Sequence, residues 1–425
     1  MSIPLDRLYH YVEAVAQQIY GGCVVIYRFY PHGSKNIHDL NSLRDFSVEP
    51  GPGEWYTKTT SPAMWCNDQE PLNHEFYKKN PRIHPACKIF SYTPKNLNYE
   101  NNIFEKSLLL HSEKRSNDLH KHLLDGELIP VYYWSHAVIA RDWFRYAQHI
   151  SQKKQVKKTF LIYNRAWSGT REYRLRFIEL LIQANLQECC RTTINPVEPE
   201  LGIHYHMHEF INPVWKPQTA LEEHFDATAA SSNSSADFVL EDYEATDIEI
   251  VLETLFDDSR LHLTEKSLRP IACGQPFVLA STWGSLEYLR SYGFKTFGDV
   301  WDESYDLIED PEQRLQAIVK LMKQLHNCTS KVWTEKMTQA RAIADYNRRH
   351  FFSQEFFDQI TRELQTNLTQ AFSELDQCNN YEAFIQRWEQ ALQDTNIDYT
   401  LIPSRSKVEI VLDLAKSKLQ EQKSR

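Results

Sequence analysis

Short apolar runs alternate along the chain with stretches whose apolar residues recur at helical spacing, a rhythm that predicts an α/β protein. Leu5, Leu8, Tyr9, Val12, Val15 and Ile19 mark one face of a first helix closed by Gly21-Gly22, and Cys23-Val24-Val25-Ile26-Tyr27-Arg28-Phe29 then reads as a buried strand. Three further apolar runs break into polar tips. Ala63-Met64-Trp65-Cys66 leads to Asn67-Asp68-Gln69-Glu70, Leu108-Leu109-Leu110 to His111-Ser112-Glu113, and Val131-Tyr132-Tyr133-Trp134 to Ser135-His136. Open α/β sheets bind ligands at the carboxyl ends of their strands. Asp68 and Glu70 are therefore candidate catalytic bases, while His111 and His136 are read as hydrogen-bonded turn residues or catalytic groups. Residues 1–150 are expected to form one Rossmann-like domain.

A lysine-rich linker at 151–158 precedes a second alternation of the same kind. Thr159-Phe160-Leu161-Ile162-Tyr163-Asn164 reads as a strand ending at Arg165, followed by a loop with Gly169 and Arg171 and by an amphipathic helix. Arginines at a strand end and a helix start make Arg165 and Arg171 candidates for a phosphate cradle. An alternating strand pattern over 247–255 leads to Leu261–Ala280, which predicts an extended lead-in, a helix capped by Thr264 and closed by Gly274, and a buried strand from Pro276. Lys266 and Arg269 lie one helical turn apart at the start of that helix, where free N–H groups favour an anion, and Glu265 suits sugar hydroxyls. The acidic tip Asp302-Glu303-Ser304-Tyr305-Asp306 is read as a solvated loop or as a group that orients the site. Residues 151–345 are expected to form a second Rossmann-like domain, and the helical pattern over 346–425 a tail packed on both.

With 42% hydrophobic and 24% charged residues the 425-residue chain is an ordinary soluble one by composition. Its net charge of −10 argues against nonspecific wrapping of nucleic acid, yet the segment 153–176 carries eight Lys or Arg against the single acid Glu172, a local basic face. Eight cysteines without a CxxC pair are expected to be reduced thiols. His204, His206 and His208 would share one side of a strand, but no carboxylate stands at matching spacing, so exposed strand histidines are the reading preferred over a metal site. Thr228–Ala236 is expected to be a low-complexity surface loop, and with no secretory signal or long apolar run visible the expected compartment is the cytoplasm.

Glu253-Thr254 on a strand, followed by Thr264-Glu265-Lys266 and an apolar strand, resembles the donor-binding motif of α1,3-fucosyltransferases and exostosin-type glycosyltransferases, although those fucosyltransferases carry a Glu-Asn-Ser run where this chain has Glu253-Thr254. Together with Asp68-Gln69-Glu70, Asn164-Arg165 and the acidic tip, the pattern over residues 60–325 is similar to glycosyltransferase-like proteins of tailed phages. The resemblance implies a GT-B-like fold in which two Rossmann-like domains face a cleft. It further implies that Glu265 contacts a nucleotide ribose while Lys266 and Arg165 contact the diphosphate of a UDP- or GDP-linked sugar, with Glu253 and Thr264 in the same motif; Arg171 and Arg269, read from their places at helix starts, are expected to join them. The expected reaction is an inverting, metal-independent transfer without a cofactor, with Glu70 ahead of Asp68 as base. The phage likeness suggests a 5-hydroxymethylated pyrimidine in DNA as acceptor and a host-cytoplasmic site of action. A surface glycan, a small metabolite, or a non-catalytic GT-B scaffold that binds a partner stand as alternatives, and the oligomeric state is open.

Overall fold

The computed structural model describes residues 6–22, 24–29, 43–45, 62–66, 68–69, 71, 107–115, 128–149, 153–192, 195–199, 201–221 and 238–377, with scattered positions beyond. Within Pro4–Glu113, Asn117–Ser135 and Thr361–Arg425 these residues form one compact unit, and within Lys114–Ser116 and His136–Ile360 another. Both are α/β and both contain parallel sheet.

In the first unit, α1 (Asp6–Tyr20) buries Leu8, Tyr9, Val12 and Val15 of the stripe that the helical spacing predicts, together with Ala16, while Ile19 of that stripe is half-buried. Strands β1 (Val25–Phe29), β2 (Leu43–Asp45), β3 (Ala63–Cys66), β4 (Ser107–His111) and β5 (Leu128–Tyr132) form a sheet in the order β2-β1-β3-β4-β5. Only β2 runs antiparallel, on the edge beside β1. Pro130, which has no N–H to give, is accommodated because β5 is the other edge. The register sets Cys66 opposite Leu110 and His111 opposite Tyr132, so the polar tips after β3, β4 and β5 come together at one end of the sheet.

The second unit begins within α2 (Ser135–Trp143) and continues through β6 (Lys158–Ile162), α3 (Tyr173–Gln183), β7 (Cys190–Thr192), α4 (Leu240–Glu244), β8 (Thr246–Leu252), α5 (Glu265–Cys273), β9 (Phe277–Ala280), α6 (Ser285–Ser291), α7 (Pro311–His326) and α8 (Ser330–Phe351). Its four strands are all parallel, in the order β7-β6-β8-β9. The chain moves from β6 to β7 on one side and then returns to place β8 on the other, so winding reverses between β6 and β8. The crevice outside the carboxyl ends of such a pair is where doubly wound sheets hold ligands. All seven residues of β8 are buried, as a central parallel strand covered on both faces must be. The boundary expected at residue 150 falls inside this unit, because Arg141 of α2 donates to the carbonyls of Phe351, Phe352 and Ser353 at the end of α8. The tail expected from residue 346 divides instead within α9 (Gln354–Gln377), whose residues from Thr361 onward belong to the first unit. Among the described residues no helix is long and apolar enough to cross a membrane.

Candidate functional site

The carboxyl ends of β6 and β8 are joined by α3. Arg174, 3% exposed, donates to the carbonyl of Ala166 after β6 at 2.7 Å and to those of Leu252 and Glu253 after β8 at 2.7 and 3.1 Å. Burial pulls its pKa below the ordinary arginine value, a cost that these charge-assisted bonds offset. The Tyr173 hydroxyl adds a bond to the Glu253 carbonyl at 2.7 Å. The backbone of Glu253 is therefore fixed before its side chain is considered.

That side chain is fully buried at the amino end of α5. Its carboxylate accepts from the Thr264 N–H and hydroxyl at 3.0 and 2.8 Å, from the Ser267 N–H and hydroxyl at 3.2 and 2.5 Å, and from the Thr254 N–H at 3.1 Å. Thr264 is the N-cap read from sequence, and its oxygen accepts from the Lys266 N–H at 3.3 Å. The anion expected at this helix terminus is thus supplied by the chain itself: Glu253 fills the place assigned to phosphate and does not face a ligand.

What the helix start offers a ligand is side-chain chemistry. The Lys266 ammonium, 18% exposed, meets the hydroxyls of Thr254 and Thr264 at 3.3 and 3.2 Å and the Glu265 carboxylate at 3.0 Å. The other Glu265 oxygen lies 3.7 Å from Nε2 of His136, whose ring meets that of His262 edge-on at 5.2 Å between centroids. Glu265, His136 and His262 are all buried. Arg165 is exposed in the segment after β6, and Arg171 is half-buried in a 3-10 turn, Gly169–Arg171, of the same loop. The segments that carry Arg165, Thr254, Thr264, Glu265 and Lys266 therefore all leave the carboxyl edge of the β6–β8 pair.

Arg269 departs from its expected role. One turn beyond Lys266 the helix faces the core, so its guanidinium pairs with Glu249 at 2.6 Å and lies over the Tyr163 ring at 4.3 Å, 3% exposed. Burial alone would lower its pKa, but Glu249, with Tyr243 and Tyr163, outweighs that and holds the group above its ordinary range. The basic segment is also partly spent inside the unit. Lys154 donates to the carbonyls of Tyr243 and Thr246 and to Gln275, Lys158 to the carbonyl of Glu188, and Arg176 pairs with Glu179 and Glu312.

In the first unit, Asp68 is fully buried, and its carboxylate accepts from the hydroxyls of Tyr9 at 3.0 Å and Tyr133. The hydroxyls of Ser112 and Ser135 donate to its carbonyl at 2.6 and 2.7 Å. Burial raises its pKa against the opposing pull of the two phenols. Asp68 thereby fastens α1 and the tips of β4 and β5 to that of β3, and its lone pairs are committed to that task. Glu70 lies outside the described residues.

The histidines at 204–208 do not form a strand. His204 caps a 3-10 turn, Tyr205–Met207, its Nδ1 accepting from the His206 N–H, while His208 turns to Glu172 at 2.8 Å. The rings of His204 and His206 stack at 5.0 Å. Among the described residues no group of His, Cys, Asp and Glu is arranged to hold a metal ion. The acidic tip is structural: Asp306 accepts from the Ser285 and Leu286 N–H groups at 3.1 and 3.0 Å at the start of α6, and Glu303 from that of Phe297.

Sequence reasoning missed His136 as a partner of Glu265, Arg174 as the stitch between strand ends, and Glu172 as the tether of 208–212, which accepts from Ile211 and Asn212 N–H groups. All three are contacts between residues far apart in the chain. The one available local signal was the acid of Glu253 preceding a Thr-x-x-Ser start, since both hydroxyls need an acceptor. No family model, curated protein or solved structure matches the chain.

Proposed function

We propose that the protein is a glycosyltransferase of the GT-B class that binds a UDP- or GDP-linked sugar at the carboxyl edge of its four-stranded parallel sheet. The observation that carries this reading is the meeting of the Lys266 ammonium, the Thr254 and Thr264 hydroxyls and the Glu265 carboxylate where the winding reverses between β6 and β8. A cation with hydroxyls suits a diphosphate, and an adjoining carboxylate suits vicinal sugar hydroxyls. Lys266, with Arg165, would stabilise the charge that grows on the departing nucleoside diphosphate as a hydroxyl acceptor attacks the anomeric carbon. Asp68, being buried and doubly bonded by phenols, serves the fold in this reading and is not the base that deprotonates the acceptor.

Calorimetric titration and thermal shift with UDP- and GDP-sugars test the donor half. Lys266→Met is expected to weaken donor binding about 10- to 100-fold, the worth of a hydrogen bond to a charged group, without lowering the melting temperature of the free protein by more than a few degrees. Failure of every nucleotide sugar to bind the wild-type protein would sink the reading and favour a partner-binding scaffold. Mass analysis of hydroxymethylated DNA, glycans and small hydroxylated metabolites after incubation with the donor that binds would then identify the acceptor class.

A further inference from the structure

The Glu265 carboxylate stands between two nitrogen bases. One oxygen is 3.0 Å from the Lys266 ammonium, and the other is 3.7 Å from Nε2 of His136. His136 and Glu265 are 2% and 6% exposed, so their interaction is weakly screened by solvent ions. Among the described residues, those seen to face His136 include Glu265 on α5 and the His262 ring on the segment before it, with Lys266 beyond the carboxylate. Arg141, on the same helix as His136, is committed to carbonyls at the end of α8.

We propose that His136 is a positioning residue for Glu265, and that its protonation draws the carboxylate away from Lys266 and so releases the lysine for a phosphate-bearing ligand. The proposal rests on the reading of Lys266 as the phosphate contact. With His136 neutral, the Glu265 charge is directed at Lys266, opposing the approach of an anion. With His136 as imidazolium, one carboxylate is shared by two cations, and the local charge rises by one unit at the place where a diphosphate would sit. Acidification favours the imidazolium, so the same site would hold phosphate more firmly at lower pH.

The test is calorimetric titration of inorganic pyrophosphate into the wild-type protein, His136→Gln, His136→Asn and Lys266→Met between pH 5.5 and 8.5 at constant ionic strength. Comparing variants at each pH removes the titration of pyrophosphate itself. The ratio of wild-type to His136→Gln affinity is expected to rise from near one at the alkaline end to about fivefold at the acidic end, the scale of a modest coupling between sites. His136→Asn should reproduce it, which guards against a folding defect peculiar to one variant. A ratio independent of pH in both variants, with Lys266→Met still weakening binding, overturns the role of His136 and leaves the phosphate site standing. Lys266→Met binding as tightly as wild type, or no binding by wild type at any pH, overturns both.

Discussion

At the scale of single residues, the site is governed by which acids are already spoken for. Glu253 is spent on the start of α5, Asp68 on two phenols and Glu249 on Arg269, whereas Glu265 touches the half-buried Lys266. Asp306 shows how such commitments become measurable. Burial pushes its carboxyl from 3.8 up to about 6, although the Leu286 and Ser285 N–H groups pull the other way. A carboxyl whose pKa is raised by folding stabilises the fold when protonated, and that contribution is lost as pH climbs through the folded value. Asp306→Asn removes the titration while keeping one acceptor for α6. The difference in melting temperature, variant minus wild type, is therefore expected to increase from pH 4 to just above pH 6 and to stay level beyond. A difference unchanged across that window would mean that Asp306 does not carry the buried proton.

At the scale of elements, β8 repays the closest attention. Asp247 and Glu249 alternate with isoleucines, a pattern that reads as a half-exposed strand, yet every residue from Thr246 to Leu252 is buried. The acids survive there because Arg341 pairs with Asp247 and Arg269 with Glu249, the latter also accepting from the Tyr243 hydroxyl at 2.6 Å. Removing one partner of a buried pair strands the other charge. Arg269→Met is expected to destabilise the protein by about 3–5 kcal/mol in urea unfolding, and the double change with Glu249→Leu to recover a large part of that loss. If the double variant is no more stable than the single one, the pair is not the source of the cost. The same strand shows what the sequence makes legible. Local periodicity places α1, β6, α3 and α5 with its Thr264 and Gly274 caps, because those features depend on neighbours a few residues away. The fate of a charge depends on partners tens of residues distant, which is why the sequence alone points Arg269 at a ligand and leaves Asp306 as either solvated or site-orienting. Residue order likewise shows neither that α2 belongs with β6 nor that β6 and β8 are neighbours flanking the reversal.

At the scale of the whole molecule, two units each with its own sheet and its own buried polar anchor are expected to unfold in more than one calorimetric step. Asp68→Ala should displace the transition of the first unit and Arg269→Met that of the second. A single transition moved equally by both would show that the units melt as one. The net charge of −10 is spread over a chain whose basic segment is partly consumed internally, so in the proposed reading the hold on a phosphate-bearing ligand rests on placed cations such as Lys266 and Arg165. The Glu253 clasp on α5 has a consequence of another kind. Because the helix carries its own counter-charge, its first turn is fastened whether or not a ligand is present, and binding need order little of that backbone. Calorimetry of such a lock should find association with a small change in heat capacity, and amide exchange in α5 should be as slow in the empty protein as in the occupied one.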